Sequence, residues 1–119
     1  MIKGYALAAR KPGMPEDEFH RYWRDVHGPL ALRISTLRRY VQAHKLPQPL
    51  PGFDHVPYDG AAELWFDTYA DMQAMPANPE YLDGARADEP NFVDMSRLAF
   101  IATTEKVVID SAPLTRDTR

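Results

Sequence analysis

The stretch AAELWFDT, residues 61–68, alternates by parity: Leu64 and Phe66 fall on one side of an extended chain, Glu63 and Trp65 on the other. That period predicts a strand. The preceding regular stretch, LRRYVQAHKL (37–46), has a β-branched and aromatic centre and reads as a second strand. One of its parities carries Tyr40, Gln42, His44 and Leu46; the other carries Arg39, Val41, Ala43 and Lys45. Two strands in succession, with helical patterns on both outer sides, separate this chain from a strand-helix alternation and its parallel sheet.

Working outward, IKGYALAA (2–9) is a short apolar strand that ends at the breaker RKPGMP. PEDEFHRYWRDVH (15–27) then opens a helix, with Pro15 at the first helical position and Glu16, Asp17 and Glu18 complementing the positive end of its dipole. Phe19, Trp23, Val26 and Leu30 repeat at helical spacing and predict one buried stripe. Gly28 is expected as a left-handed cap, and Pro29 as the restart of a short helical piece, PLALRIS. On the far side, YADMQAM begins a second helical region that Pro76 interrupts and PEYLDGARADEPNFVD continues irregularly. RLAFIATTEKVVI (97–109) predicts a long fourth strand.

The order is thus β, α, β, β, α, β, an α+β chain with a ferredoxin-like four-stranded antiparallel sheet and helices on one face. The other face needs a cover. With Glu63 and Trp65 on it, the expected cover is a second copy of the same sheet in a twofold homodimer. Residues 1–110 are read as one domain and 111–119 as a polar tail. PQPLPGFDHVPYDG (47–60), with prolines at 47, 49, 51 and 57, is longer than a hairpin loop and is expected to cover or line something.

Composition narrows the function. A net charge of −3, with only the short basic groups Lys3/Arg10/Lys11 and Arg33/Arg38/Arg39, gives no sustained face for nucleic acid. No apolar run approaches a membrane span and the N-terminal stretch has no signal-like core, so no membrane partner and a cytosolic location are expected. The absence of cysteine removes disulfides, thiolate nucleophiles and cysteine-ligated metals. Gly-rich phosphate loops, HExxH, GxSxG and dinucleotide fingerprints are also missing, so no cofactor is expected.

Three stretches, PEDEFHRYWRDVHGPLA (15–31), LRRYVQAH (37–44) and HVPYDGAAELWFD (55–67), resemble the EthD family of the dimeric α+β barrel superfamily and cover about a third of the chain. The resemblance implies a homodimer with sheets packed face to face and a small-molecule pocket between sheet and helices in each subunit. The family includes a methylmuconolactone isomerase that needs neither metal nor organic cofactor, and proteins encoded beside ether-degrading oxygenases. Matched residue by residue, that isomerase's catalytic histidine falls on His27 and its pocket tyrosine on Tyr40. Its pocket cysteine falls on Leu64, a departure that speaks against the same isomerisation here.

An imidazole at a helix end has a plain role, capping carbonyls at the negative end of the dipole, which a lysine would fill as well. What lysine lacks is the capacity both to take and to return a proton near neutral pH. Combined with the resemblance, His27 is the expected proton-transfer group and Tyr40 the hydrogen-bond donor to a substrate oxygen. Trp23, His44, His55, Tyr58, Leu64 and Phe66 are the expected substrate contacts, with Trp23 and Phe66 also serving as core. His20 lies seven residues before His27, about 10 Å along a helix, too far to share one ion, so no metal site is expected. Asp25 is read as a surface partner of Arg21, Glu63 as an interface polar group, and Asp59-Gly60 as a turn.

The leading expectation is a cofactor-free isomerase, lyase or cyclase that moves a proton next to the carbonyl of a small lactone, enol or aromatic metabolite. The alternatives are a non-catalytic binding or accessory protein for a catabolic oxygenase, which would bind without accelerating exchange of ligand protons, and an oxidoreductase of xenobiotic degradation, for which a haem absorption band would be the sign.

Overall fold

The computed structural model describes residues 1–53 and 56–111. The elements run β1 (Ile2–Ala8), α1 (Glu16–Tyr22), β2 (Leu37–His44), β3 (Gly60–Phe66), α2 (Tyr69–Ala74) and β4 (Ala99–Thr103). The strands form one sheet in the order β2-β3-β1-β4, with every neighbouring pair antiparallel. This is the ferredoxin-like arrangement that the element order implies. His55 and the tail from residue 112 lie outside the described residues.

Strand periodicity sorts the side chains as the sequence suggests. Ala62, Leu64 and Phe66 are buried against the helices with Phe19, Trp23, Ile34, Met72, Met75 and Phe92. A bulge between Leu37 and Arg39 shifts the β2 register by one residue, so that Leu37 and Tyr40 both face inward opposite Phe66 and Leu64. No helix among the described residues is long and apolar enough to cross a membrane.

The first helical region departs from expectation. Pro15 is the extended N-cap residue and α1 starts at Glu16. After Tyr22 the chain widens into a π-helical turn over Trp23–His27 and then tightens into a 3-10 turn over Gly28–Arg33. In an α-helix Val26 and His27 would both flank the Trp23 face. The wider turn keeps His27 inward, at 8% exposure, and turns Val26 out to 43%. Gly28 is right-handed, with φ −50°, and not the expected left-handed cap. Its missing side chain serves close approach instead, because a Cβ there would meet Gln42 Nε2 at 3.1 Å.

Other expectations shift for local reasons. β4 ends at Thr103 because the ladder of its one partner, β1, ends opposite it at Lys3, and Val107, Val108 and Ile109 continue exposed. Asp59 does not begin a turn: buried, it accepts the Arg10 backbone N–H at 2.8 Å and its guanidinium at 2.6 Å, fastening β3 to the end of β1. Asp25 pairs with the adjacent Arg24 at 2.9 Å and not with Arg21 one turn earlier. The Pro-rich loop shapes a separate surface groove through Leu46, Leu50, Phe53 and Val56.

Candidate functional site

Between the inner face of the sheet and the helical segments lies a cavity of about 340 Å³, within the usual range of small-molecule sites. Its floor is made by small and apolar residues of all four strands, including Ala6, Leu37, Ala62, Leu64 and Ala99; Met72, Met75 and Phe92 close the sides. Pro76, Arg86 and Phe100 are the exposed members of the wall and mark its mouth. The polar groups in this apolar wall are His27, Tyr40, Tyr81, Arg86, Glu89 and the Trp23 indole.

His27 enters from the π-helical turn and packs on the Phe92 ring, centroids 4.7 Å apart. Its Nδ1 lies 2.9 Å from Asp88 Oδ2. Asp88 also accepts the hydroxyl of Tyr22 at 2.5 Å and the side-chain amide of Asn91 at 2.9 Å. Burial pushes the Asp88 pKa up, but these bonds outweigh it and hold the carboxyl below its ordinary range. An ionised carboxylate only accepts, so Nδ1 carries the proton and Nε2 is left as the basic nitrogen. Burial lowers the His27 pKa, partly offset by Asp88, so the ring is neutral at pH 7.

Tyr40 is held from behind. Its oxygen accepts from Trp23 Nε1 at 3.2 Å and from Gln42 Nε2 at 3.1 Å, and among the described residues nothing takes its own proton. The amide orientation of Gln42 is fixed, because Nε2 also donates to the Trp23 carbonyl at 2.9 Å and Oε1 lies 2.8 Å from His44 Nε2. His44 therefore donates from Nε2, and in its neutral form accepts from His20, whose Nδ1 lies 2.7 Å from His44 Nδ1. A polarised chain of His20, His44, Gln42 and Tyr40 results, ending in a phenolic proton free for a guest. Burial raises the Tyr40 pKa, and the bonds from Gln42 and Trp23 act against that rise. Trp23, the hub of this arrangement, is seated over Gly60, where any Cβ would collide with its ring.

Of the residues singled out in the sequence, His27, Tyr40, Trp23 and Leu64 line one cavity. Phe66 is fully buried, and His44 lies behind Trp23, ring centroids 4.4 Å apart, linked to the cavity through Trp23 and through the Gln42–Tyr40 hydrogen bond. Tyr58, on the loop before β3, is not among the lining residues, and His55 lies outside the described part. Among the described residues no group of three or more His, Asp or Glu side chains is placed to hold a metal ion. Sequence reasoning missed Gln42, Tyr81, Asp88 and Glu89. Gln42 shares the parity of Tyr40 and His44, and the Asp-Glu pair precedes Pro90 and the buried Phe92 and Val93; those were the available signals.

Residues 11–96 match the EthD domain. No curated protein shows significant sequence similarity to the chain. Among solved structures, an EthD family protein from Bacillus halodurans C-125 is 20% identical, with a TM-score of 0.70 covering 89% of this chain and 99% of that one. An EthD-like protein from Ralstonia eutropha JMP134 is also 20% identical, with a TM-score of 0.61 over 92% and 93% of the two chains. A dimeric ferredoxin-like protein of unknown function from Thermobifida fusca YX is 17% identical, with a TM-score of 0.63 over 87% and 90%. These likenesses carry the fold, and the domain match spans most of the sequence: the chain belongs to the EthD family.

Proposed function

We propose that this chain is a cofactor-independent enzyme that moves a proton next to the carbonyl of a small lactone, enol or aromatic metabolite. One observation carries the reading. His27 and Tyr40 border the same apolar cavity, and the hydrogen bonds of each, to Asp88 and to Trp23 and Gln42, leave a basic nitrogen on one and a free hydroxyl proton on the other.

In the reaction, His27 Nε2 takes a proton from the carbon beside the carbonyl. The C–H electron pair moves into the ring or chain as an enolate, whose developing oxygen charge accepts the Tyr40 hydrogen bond. Asp88 stabilises the imidazolium formed, which returns the proton to the same or a conjugated carbon. Tyr40 stays protonated throughout, as its raised pKa favours.

The chain works as a homodimer in the cytosol in this reading. The sheet face away from the helices carries Val41 and the half-exposed Ile101, and the Thermobifida fusca relative is described as dimeric. The test is incubation of the protein with neutral lactones and enolisable phenols in deuterated water, followed by proton NMR. Catalysed loss of the signal beside the carbonyl is expected. Binding of those compounds with no accelerated exchange would replace the enzyme reading with that of a carrier.

A further inference from the structure

Glu89 takes no part in the proton transfer above, yet it is the one carboxylate that lines the cavity among the described residues. It sits in a 3-10 turn over Glu89–Asn91 and is 9% exposed. Its Oε2 accepts the Tyr81 hydroxyl at 2.7 Å. Its Oε1 is buried and has no hydrogen-bond partner among the described residues; Arg86 Nε, at 3.8 Å, is beyond hydrogen-bond reach. A buried oxygen left without a partner is costly, and of the buried side-chain atoms without one among the described residues this is the one on a residue that lines the cavity.

We propose that Glu89 is a second binding group of the cavity, engaging through Oε1 a second oxygen of a neutral ring compound whose first oxygen lies on the Tyr40 hydroxyl. The proposal rests on the preceding reading only in taking that hydroxyl as facing the guest. Two features select the ligand class. With Oε2 occupied by the Tyr81 hydroxyl, a proton on Glu89 sits on Oε1, where it is a donor to a ligand oxygen; burial raises the carboxyl pKa and favours that form. A ligand carboxylate would meet this acid in an apolar wall whose single cation among the described residues, Arg86, stands at the exposed mouth. The fit is a one- or two-ring neutral molecule with two oxygen functions, such as a hydroxylated lactone or a resorcinol-type phenol.

Resorcinol, phenol and 3-hydroxybenzoate are the probes, measured by calorimetry on the full chain. Resorcinol should bind about tenfold more tightly than phenol or 3-hydroxybenzoate, a difference of about 1.4 kcal/mol. Glu89→Leu should bring resorcinol down to the affinity of phenol and leave phenol unchanged. As a check that needs no variant, the carbon-13 resonance of the Glu89 carboxyl in glutamate-labelled protein should move with resorcinol and stay with phenol. A resorcinol preference that survives Glu89→Leu, equal binding of 3-hydroxybenzoate, or an unmoved carboxyl resonance would each overturn the proposal. Loss of the preference in a protein that catalyses no exchange would leave Glu89 assigned while the enzymatic reading falls.

Discussion

The two faces of one sheet are built on opposite plans. On the inner face of the central strands, Gly4 opposes Leu64, Ala6 opposes Ala62 and Ala8 opposes Gly60. On the outer face of the same strands, Lys3 opposes Trp65 and Tyr5 opposes Glu63. The outer layer fills itself: the Lys3 ammonium lies 4.5 Å from the Trp65 ring centroid and 4.8 Å from that of Tyr5, with Glu105 at 2.7 Å and Glu63 at 3.4 Å. Hydrogen bonding to Glu105, followed by Tyr5, holds the Lys3 pKa above its ordinary value. Phe100 and Trp23 fill the space over Gly4 and Gly60, but over Ala6 and Ala62 the inner layer leaves a hollow, because a methyl group cannot reach the helices that roof it. Protein interiors normally close to crystal-like density, so small residues in the middle of a covered sheet mark space kept for something else.

The sharpest way to break the comparison is to fill the hollow. Ala62→Phe should abolish both ligand binding and proton exchange while circular dichroism stays native, although overpacking of this kind costs about 1–3 kcal/mol in thermal or denaturant stability. Ala61→Phe, one residue away on the outer face, should retain exchange. Equal loss in both variants would show that the cavity is not the site. Within an unfilled cavity, His27→Ala should reduce exchange about 10³-fold, and Tyr40→Phe about 10²-fold, with the rates compared at saturating ligand. Full activity in either variant removes that residue from the mechanism.

Asp88 tests whether the inner face also tunes its base. Neutral His27 is the active form and burial lowers its pKa from the ordinary 6.5. The exchange rate should therefore rise with pH and level off, with a midpoint below 6.5. Asp88 pulls that pKa upward. Asp88→Asn should move the midpoint lower still and cut the plateau by at least about tenfold, because the imidazolium formed loses its carboxylate partner. A midpoint that rises instead would mean that Asp88 and His27 are not coupled as described.

Much of this was legible before any coordinates. Alternation sorted residues 61–68 and 39–44 into two faces each, but the bulge after Leu37 breaks the period and brings Leu37 to the same face as Tyr40, which parity alone does not foresee. The order of elements followed from the periodicity along the whole chain, whereas the pairing of His27 with Tyr40 came from the resemblance to the EthD family. The π-helical turn was not legible. Its effect, exchanging Val26 for His27 on the buried face, depends on tertiary packing against Trp23 and Phe92, not on local propensity. Asp88 and Glu89 were missed because a short acidic pair before proline reads as a solvated turn; only the docking of Asp88 on Tyr22 and His27 from a distant segment, and of Glu89 on Tyr81 eight residues earlier, reveals them. The length of β4 failed for a different reason: β-branched residues predict an extended chain, but pairing ends where the neighbouring ladder ends.

The smallest effect belongs to Gln42, which touches both the backbone of the π-helical turn and the Tyr40 hydroxyl. Two N–H donors fill the acceptor positions of that oxygen and leave its proton one direction. In Gln42→Leu the indole of Trp23 still donates, so the phenol stays in place but regains rotational freedom. The Trp23 carbonyl keeps its bond from the Gly28 N–H. Loss of one neutral hydrogen bond is worth about 1 kcal/mol, so the maximal exchange rate should fall about fivefold with ligand affinity little changed. Gln42→Glu supplies the contrast: its carboxylate can only accept, so it would take the Tyr40 proton away from the guest and reduce exchange further than leucine does. If glutamate outperforms leucine, the direction of the Tyr40 proton is not what Gln42 controls.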